Sequence, residues 1–288
     1  MLKKSIIFLV TFLMVTSGLT FLTLSDNSAN AGVIKVDKNM ITNQTSERKG
    51  LAWNLTESPQ LVLKNLMPEV SGQGRPYNVS QIREAYNLSG FYGSNICGQG
   101  FTIAIVDAYG DPSLSYDLQT FDSTYNLPRA NISYYYPYGS PANVSSTWSL
   151  ETATDVEWFH SIAPKAHIDL VTVPNNEVGY LQGGVNYTIN NLSQIQGLSM
   201  SWGIAESSLL SNGLMGVYNK AFQNADRKNI HVFAASGDQG AYDGTKGLTV
   251  NFPAGDPYVT SVGGTSISYS NGQYTQTGWD KSGGGYSR

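Results

Sequence analysis

Five short runs rich in apolar residues, spaced through the second two thirds of the chain, constrain its fold most. They are Phe101–Asp107, His167–Val173, Gly197–Trp202, Asn229–Ala235 and Tyr258–Val262. Nearly continuous apolar runs of this length suit strands buried on both faces, as in parallel sheets. Helical patterns separate them: Ser113–Tyr125, Thr147–Ala163 stopped by Pro164, Val178–Leu192, and a long amphipathic stretch over Ser207–Lys228. Repeated β-then-α order predicts an α/β domain with a mainly parallel sheet flanked by helices. Sites in such a domain lie at the carboxyl ends of strands.

Polar residues stand at those ends. Asp107 closes the first run, Ser201-Trp202-Gly203 closes the third, and Ser236-Gly237-Asp238-Gln239-Gly240-Ala241 follows the fourth. Glu151 and Asp155 lie four apart on a predicted helix, which puts both carboxylates on one face. No Lys or Arg occurs from Pro141 to Pro164, and Leu150, Val156, Trp158, Phe159 and Ile162 make the helix largely apolar. Two readings are open. A buried pair would share a proton, with one pKa raised, and could act as a general base. Alternatively, Glu151 faces solvent and Asp155 bonds locally. Glu157 and His160 are three apart, but no H-E-x-x-H occurs and His167 and His231 fall in strands, which argues against a histidine metal site. No arrangement suits a Ser-His-Asp triad. Cys97 is the single cysteine, so no internal disulfide forms, and it reads as a small buried or half-buried hydrophobe rather than a thiol nucleophile.

The amino terminus reads as an export signal. Lys3 and Lys4 precede an apolar stretch over Ser5–Leu24, and small residues end it at Ser28-Ala29-Asn30-Ala31. Cleavage near Ala31 is expected; an uncleaved anchor is the alternative, and either way the remainder is outside the cell. Eight N-x-S/T sequons, at Asn43, Asn54, Asn78, Asn87, Asn131, Asn143, Asn186 and Asn191, fit a secreted glycoprotein. With 17 Lys+Arg against 21 Asp+Glu, no basic excess suggests nucleic acid. The expected layout is a signal peptide over 1–31, a leader or linker over 32–74, and one domain over 75–288.

Six segments together resemble the sedolisin family, the serine-carboxyl peptidases of family S53 with a subtilisin-like fold. They are I-A-I-V-D-A-Y-G-D-P from Ile103, E-T-A-T-D-V-E-W from Glu151, S-I-A-P-K-A from Ser161, S-M-S-W-G from Ser199, A-S-G-D-Q-G-A from Ala235, and F-P-A-G-D-P-Y-V-T-S-V-G-G-T-S from Phe252. The resemblance implies a secreted endopeptidase acting on proteins or peptides at acid pH, with no stable membrane association after signal cleavage. Glu151 takes the place of the general base, Asp155 of the carboxylate that orients it, and Asp238 of the oxyanion donor. Ser201, Trp202 and Gly203 take the place of the strand that pairs with substrate backbone. Asp107 stands where subtilisins keep their triad aspartate, and the resemblance gives it no role. Ser266 follows Gly264-Thr265 but lacks the proline and helix of the family's G-T-S-x-x-x-P nucleophile segment. The expected nucleophile, with the family's calcium site, therefore lies beyond Arg288, the chain holds no cofactor site of its own, and the peptidase domain is partial. The alternative is an inactive extracellular relative that binds peptides or proteins.

Overall fold

The computed structural model describes residues 58–59 and 77–288. The expected signal peptide, most of the leader, and Asn43 and Asn54 lie outside the described residues.

Six strands form the main sheet: β2 (Thr102–Ala108), β3 (Asn131–Tyr135), β4 (His167–Val173), β5 (Gly197–Met200), β7 (His231–Ala235) and β9 (Val259–Val262). Their order is β3-β4-β2-β5-β7-β9, every pairing is parallel, and the order reverses around β2. Such a reversal opens a crevice at the carboxyl ends of the strands on either side. The register aligns those ends: Asp107 is opposite Thr172, Ile105 opposite Ser199, and Met200 opposite Ala234.

β2 shows why the sheet is central. Ile103 and Ile105 join one apolar cluster, with Leu118, Phe121, Val156 and Phe159 from α3 (Leu114–Tyr125) and α4 (Ser146–Ile162). Ala104 and Val106 join the other, with Leu181, Val185, Tyr218 and Phe222 from α5 (Val178–Asn191) and α7 (Met215–Arg227). Alternate residues therefore feed helical layers on both faces, which is what an unbroken apolar run requires. Arg83 on α1 (Val79–Ala85) fastens that helix to the end of α4: its guanidinium donates through Nε (3.0 Å) and through a second nitrogen to the Ser161 carbonyl. A short helix, α2 (Ser89–Gly93), follows.

Two expectations change. The run Gly197–Trp202 is not one strand. β5 ends at Met200, and a separate strand β6 (Trp202–Ala205) turns out of the main sheet to pair antiparallel with β8 (Asn251–Phe252). The Trp202 indole, wholly buried, donates to the Val106 carbonyl (2.6 Å) and fixes that departure. The long helix over Ser207–Lys228 is two helices, α6 (Glu206–Asn212) and α7, because Gly213 adopts left-handed backbone between them. The third sheet is a hairpin of β10 (Thr265–Ser270) and β11 (Gln273–Gly278) around Asn271-Gly272.

Candidate active site

The site starts from helix α4, whose inner face carries carboxylates where apolar residues are usual. Glu151 is 3% exposed and Asp155 is fully buried, so the solvent-facing reading of the pair is overturned. Asp155 does not bond locally either: its Oδ1 accepts a hydrogen bond from Ser201 Oγ (2.8 Å), at the end of β5. Asp107, at the end of β2, and Asp238, after β7, are buried beside them. The parallel register places these strand ends on one edge of the sheet, and Glu151 and Asp155 meet them there from α4, which packs on a face of the sheet.

Glu151 Oε2, Asp155 Oδ2, Asp238 Oδ1 and both Asp107 oxygens lack hydrogen-bond partners among the described residues. Among the described residues no Lys or Arg forms an ion pair with a carboxylate; the ion pairs there are His160–Asp122 and His167–Asp169. Burial therefore dominates and raises the affinity of each group for a proton. Glu151 is pushed well above the ordinary carboxyl range, first by burial, then by the negative charges of Asp155, Asp107 and Asp238. Asp155 is raised by burial and by Asp107, with the Ser201 hydroxyl opposing. Burial lifts Asp107 to about 7; the Thr152 hydroxyl softens this, although its geometry falls short of a hydrogen bond. Asp238 is lifted to about 7 by burial and by Asp243, with Lys281 opposing. A cluster of this kind holds protons into the neutral range and exchanges them between neighbours.

The adjoining edge accepts an extended chain. β1 (Ser58–Pro59) lies antiparallel to β6, with Ser58 opposite Gly203 and Pro59 opposite Trp202. Main-chain addition of this sort is a common way for a sheet edge to hold a peptide. Gly203 is required there: a Cβ would lie 1.8 Å from Asn251 Oδ1 and 2.6 Å from the Phe252 carbonyl oxygen. Gly203→Ala is expected to destabilise the domain by about 1–3 kcal/mol or more, read as a lower urea midpoint.

Sequence reasoning left Asp107 without a role, and it did not find Asp243, Asn251 or the bond from the Ser201 hydroxyl to Asp155. Only the strand-end position of Asp107 carried a signal. Ser266, set aside above as nucleophile, lies in β10, exposed and opposite Thr277. Among the described residues no group of three or more His, Cys, Asp or Glu is arranged to hold a metal ion. No described helix is long and apolar enough to cross a membrane.

A parallel six-stranded sheet with helices on both faces defines a subtilisin-like domain, here with a buried carboxylate cluster at the sheet's carboxyl edge. No protein-family model matches the chain. Kumamolisin of Bacillus sp. (strain MN-32) is 30% identical over 226 residues, covering 74% of this chain and 40% of kumamolisin. Among solved structures, Pseudomonas sedolisin, a serine-carboxyl proteinase complexed with two molecules of pseudo-iodotyrostatin, superposes with a TM-score of 0.53. That match is 20% identical and covers 65% of this chain and 55% of sedolisin, a likeness of fold. The chain belongs to the sedolisin family, S53, and spans 40% of the length of kumamolisin.

Proposed function

We propose that this chain supplies the acid–base and oxyanion groups of a secreted serine endopeptidase that cleaves proteins or peptides at acid pH. The observation that carries the proposal is the Glu151–Asp155 pair, buried, without a Lys or Arg partner among the described residues, and joined by Asp107 and Asp238 at the sheet's carboxyl edge. In this reading Glu151 removes the proton from a serine hydroxyl as its oxygen attacks the substrate carbonyl. Asp155, held by Ser201, takes up part of that proton's charge. Asp238 keeps its own proton and donates a hydrogen bond to the oxyanion. Glu151 then gives its proton to the leaving amine, and water releases the acyl group by the same steps in reverse. Residues Ser201, Trp202 and Gly203 align the substrate backbone, in the manner of the antiparallel pairing that β1 makes.

The pH sense follows from Asp238. Its donor proton is retained below its pKa of about 7 and lost above it, so the oxyanion contact fades as pH rises through neutrality. Because Ser266 sits in a hairpin strand rather than at the start of a helix, the nucleophile is assigned to a serine outside these 288 residues. Export follows from the signal over 1–31. Asn87, Asn131, Asn143 and Asn191 are exposed sequons able to take glycans.

The test is digestion of an unfolded protein by the full gene product between about pH 3 and pH 8. Cleavage that is greatest on the acid side of neutrality, where part of Glu151 is ionised and Asp238 still holds its proton, and that falls at least tenfold by pH 8 is expected. No cleavage at any pH would overturn the peptidase reading. Peptide binding without cleavage would instead support an inactive extracellular binding protein.

A further inference from the structure

We propose that Asp243 is a positioning residue for Asp238: it buttresses the Gly237–Asp238 turn and keeps a second acidic group against it. The inference rests on the peptidase reading and deepens it by naming what holds the oxyanion donor in place and in its protonated form.

Asp243 follows the 3₁₀ turn Gly240–Tyr242 in left-handed backbone, with φ of 43°. Its side chain is nevertheless turned inward, and the residue is 9% exposed. Oδ2 accepts a hydrogen bond from Asn251 Nδ2 (3.0 Å), and Asn251 on β8 is itself buried. Oδ1 lies beneath the turn that carries Asp238. A Cβ on Gly237 would be 2.9 Å from Asp243 Oδ1 and 3.2 Å from Asn251 Cβ, so only glycine lets the turn settle on this pair. Gly237 also has φ of +100°, a backbone that other residues rarely adopt. The next residue is Asp238, buried, with Oδ1 lacking a partner.

Three charged or titratable groups face Asp238. Asp243 comes from the 3₁₀ turn, Glu151 from α4, and Lys281 from the segment after β11. That last segment is tied to the turn, since Gly240 N–H donates to the Lys281 carbonyl (2.8 Å) and Gly283 N–H to the Gly237 carbonyl (2.7 Å). Asp243 and Lys281 act on Asp238 in opposite senses. The carboxylate favours the protonated form and the ammonium favours the ionised one. An oxyanion donor must keep its proton, so the buried acid is placed where it helps, and the lysine tempers it.

Site-resolved carbon NMR of the aspartate carboxyls in the 288-residue chain reads the Asp238 midpoint directly, without catalysis. Asp243→Asn removes the charge and leaves an amide oxygen that can still accept from Asn251. The Asp238 midpoint is expected to fall by about one pH unit. Lys281→Gln should move it upward. An unchanged Asp238 midpoint in Asp243→Asn, or in Asp243→Ser should the first variant not fold, overturns the proposal. Loss of the folded state in both variants also overturns it, because Asp243 would then be structural. In the full gene product, Asp243→Asn should shift the alkaline limb of kcat to lower pH with little change in KM. A merely structural residue would lower kcat equally at every pH. If the peptidase reading fails, the NMR result still stands or falls alone.

Discussion

Glu151→Gln in the full gene product should lower kcat about 10²–10⁴-fold while KM changes little. The amide keeps the shape of Glu151 and its place among Leu150, Thr152 and Asp155, so the fold should persist. What it lacks is a group that can take a proton from the attacking hydroxyl. Asp155→Asn should be a milder lesion in chemistry: its Oδ1 can still accept from Ser201, but Glu151 loses the carboxylate with which it shares a proton. Removing the Asp155 charge also relieves the largest like-charge pressure on Glu151. The pH profile of Asp155→Asn should therefore shift to more acid values, because the base now ionises more easily. Steady-state kinetics of the two variants across about pH 3–7 separates these effects. Equal losses at all pH values, or a Glu151→Gln variant with wild-type kcat, would remove Glu151 from the base role.

The legibility of this site in the sequence divides along a physical line. The spacing of Glu151 and Asp155 states that they share a helix face, because 3.6 residues make a turn. It does not state what covers that face. The cover comes from the carboxyl ends of β2, β5 and β7, brought together by a strand order that no local pattern encodes. Strand β2 was legible because both its faces are apolar. Strand β3 was not, because Asn131–Tyr135 sits at an edge and is only half buried. The break in the long amphipathic stretch depended on the backbone of one glycine, Gly213, which the apolar period runs straight through. The departure of Trp202 from β5 depended on its indole reaching the Val106 carbonyl, a contact 96 residues away in sequence. Family order, by contrast, assigned Glu151, Asp155 and Asp238 distinct parts. Asp243 and Asn251 escaped notice because one follows a turn and the other lies on a strand of two residues, neither long enough to show a period.

The domain should be more stable in acid than at neutral pH, the reverse of the usual trend. Among the buried acids whose proton affinities burial raises above the ordinary values of 3.8 for Asp and 4.5 for Glu, five are raised furthest: Asp107, Glu151, Asp155, Glu157 and Asp238. The folded chain therefore holds protons that the unfolded chain releases. Each group's contribution is fully present below about pH 4 and is lost as pH rises, through about 7 for Asp107 and Asp238 and about 8 for Glu157. For fully buried Asp107 a rise from 3.8 to about 7 corresponds to about 4 kcal/mol. That is a large share of the roughly 5–15 kcal/mol by which domains are stable. His160 acts in the opposite sense, since burial lowers its proton affinity and protonation at acid pH costs stability, but Asp122 beside it offsets part of that cost. The acids outnumber it, so Tm near pH 7.5 should lie at least about 10 °C below Tm near pH 4. Glu157 isolates the effect from catalysis: it is wholly buried, neither oxygen has a partner, and Asp117, Asp111 and Asp122 add to its burial. Glu157→Gln should raise Tm near pH 7.5 by several degrees and leave Tm near pH 4 almost unchanged. A Tm that is flat or rises from pH 4 to pH 7.5 would mean that these carboxyls find counter-charges or water in solution, and that the proton-sharing cluster at Glu151 is not built as described.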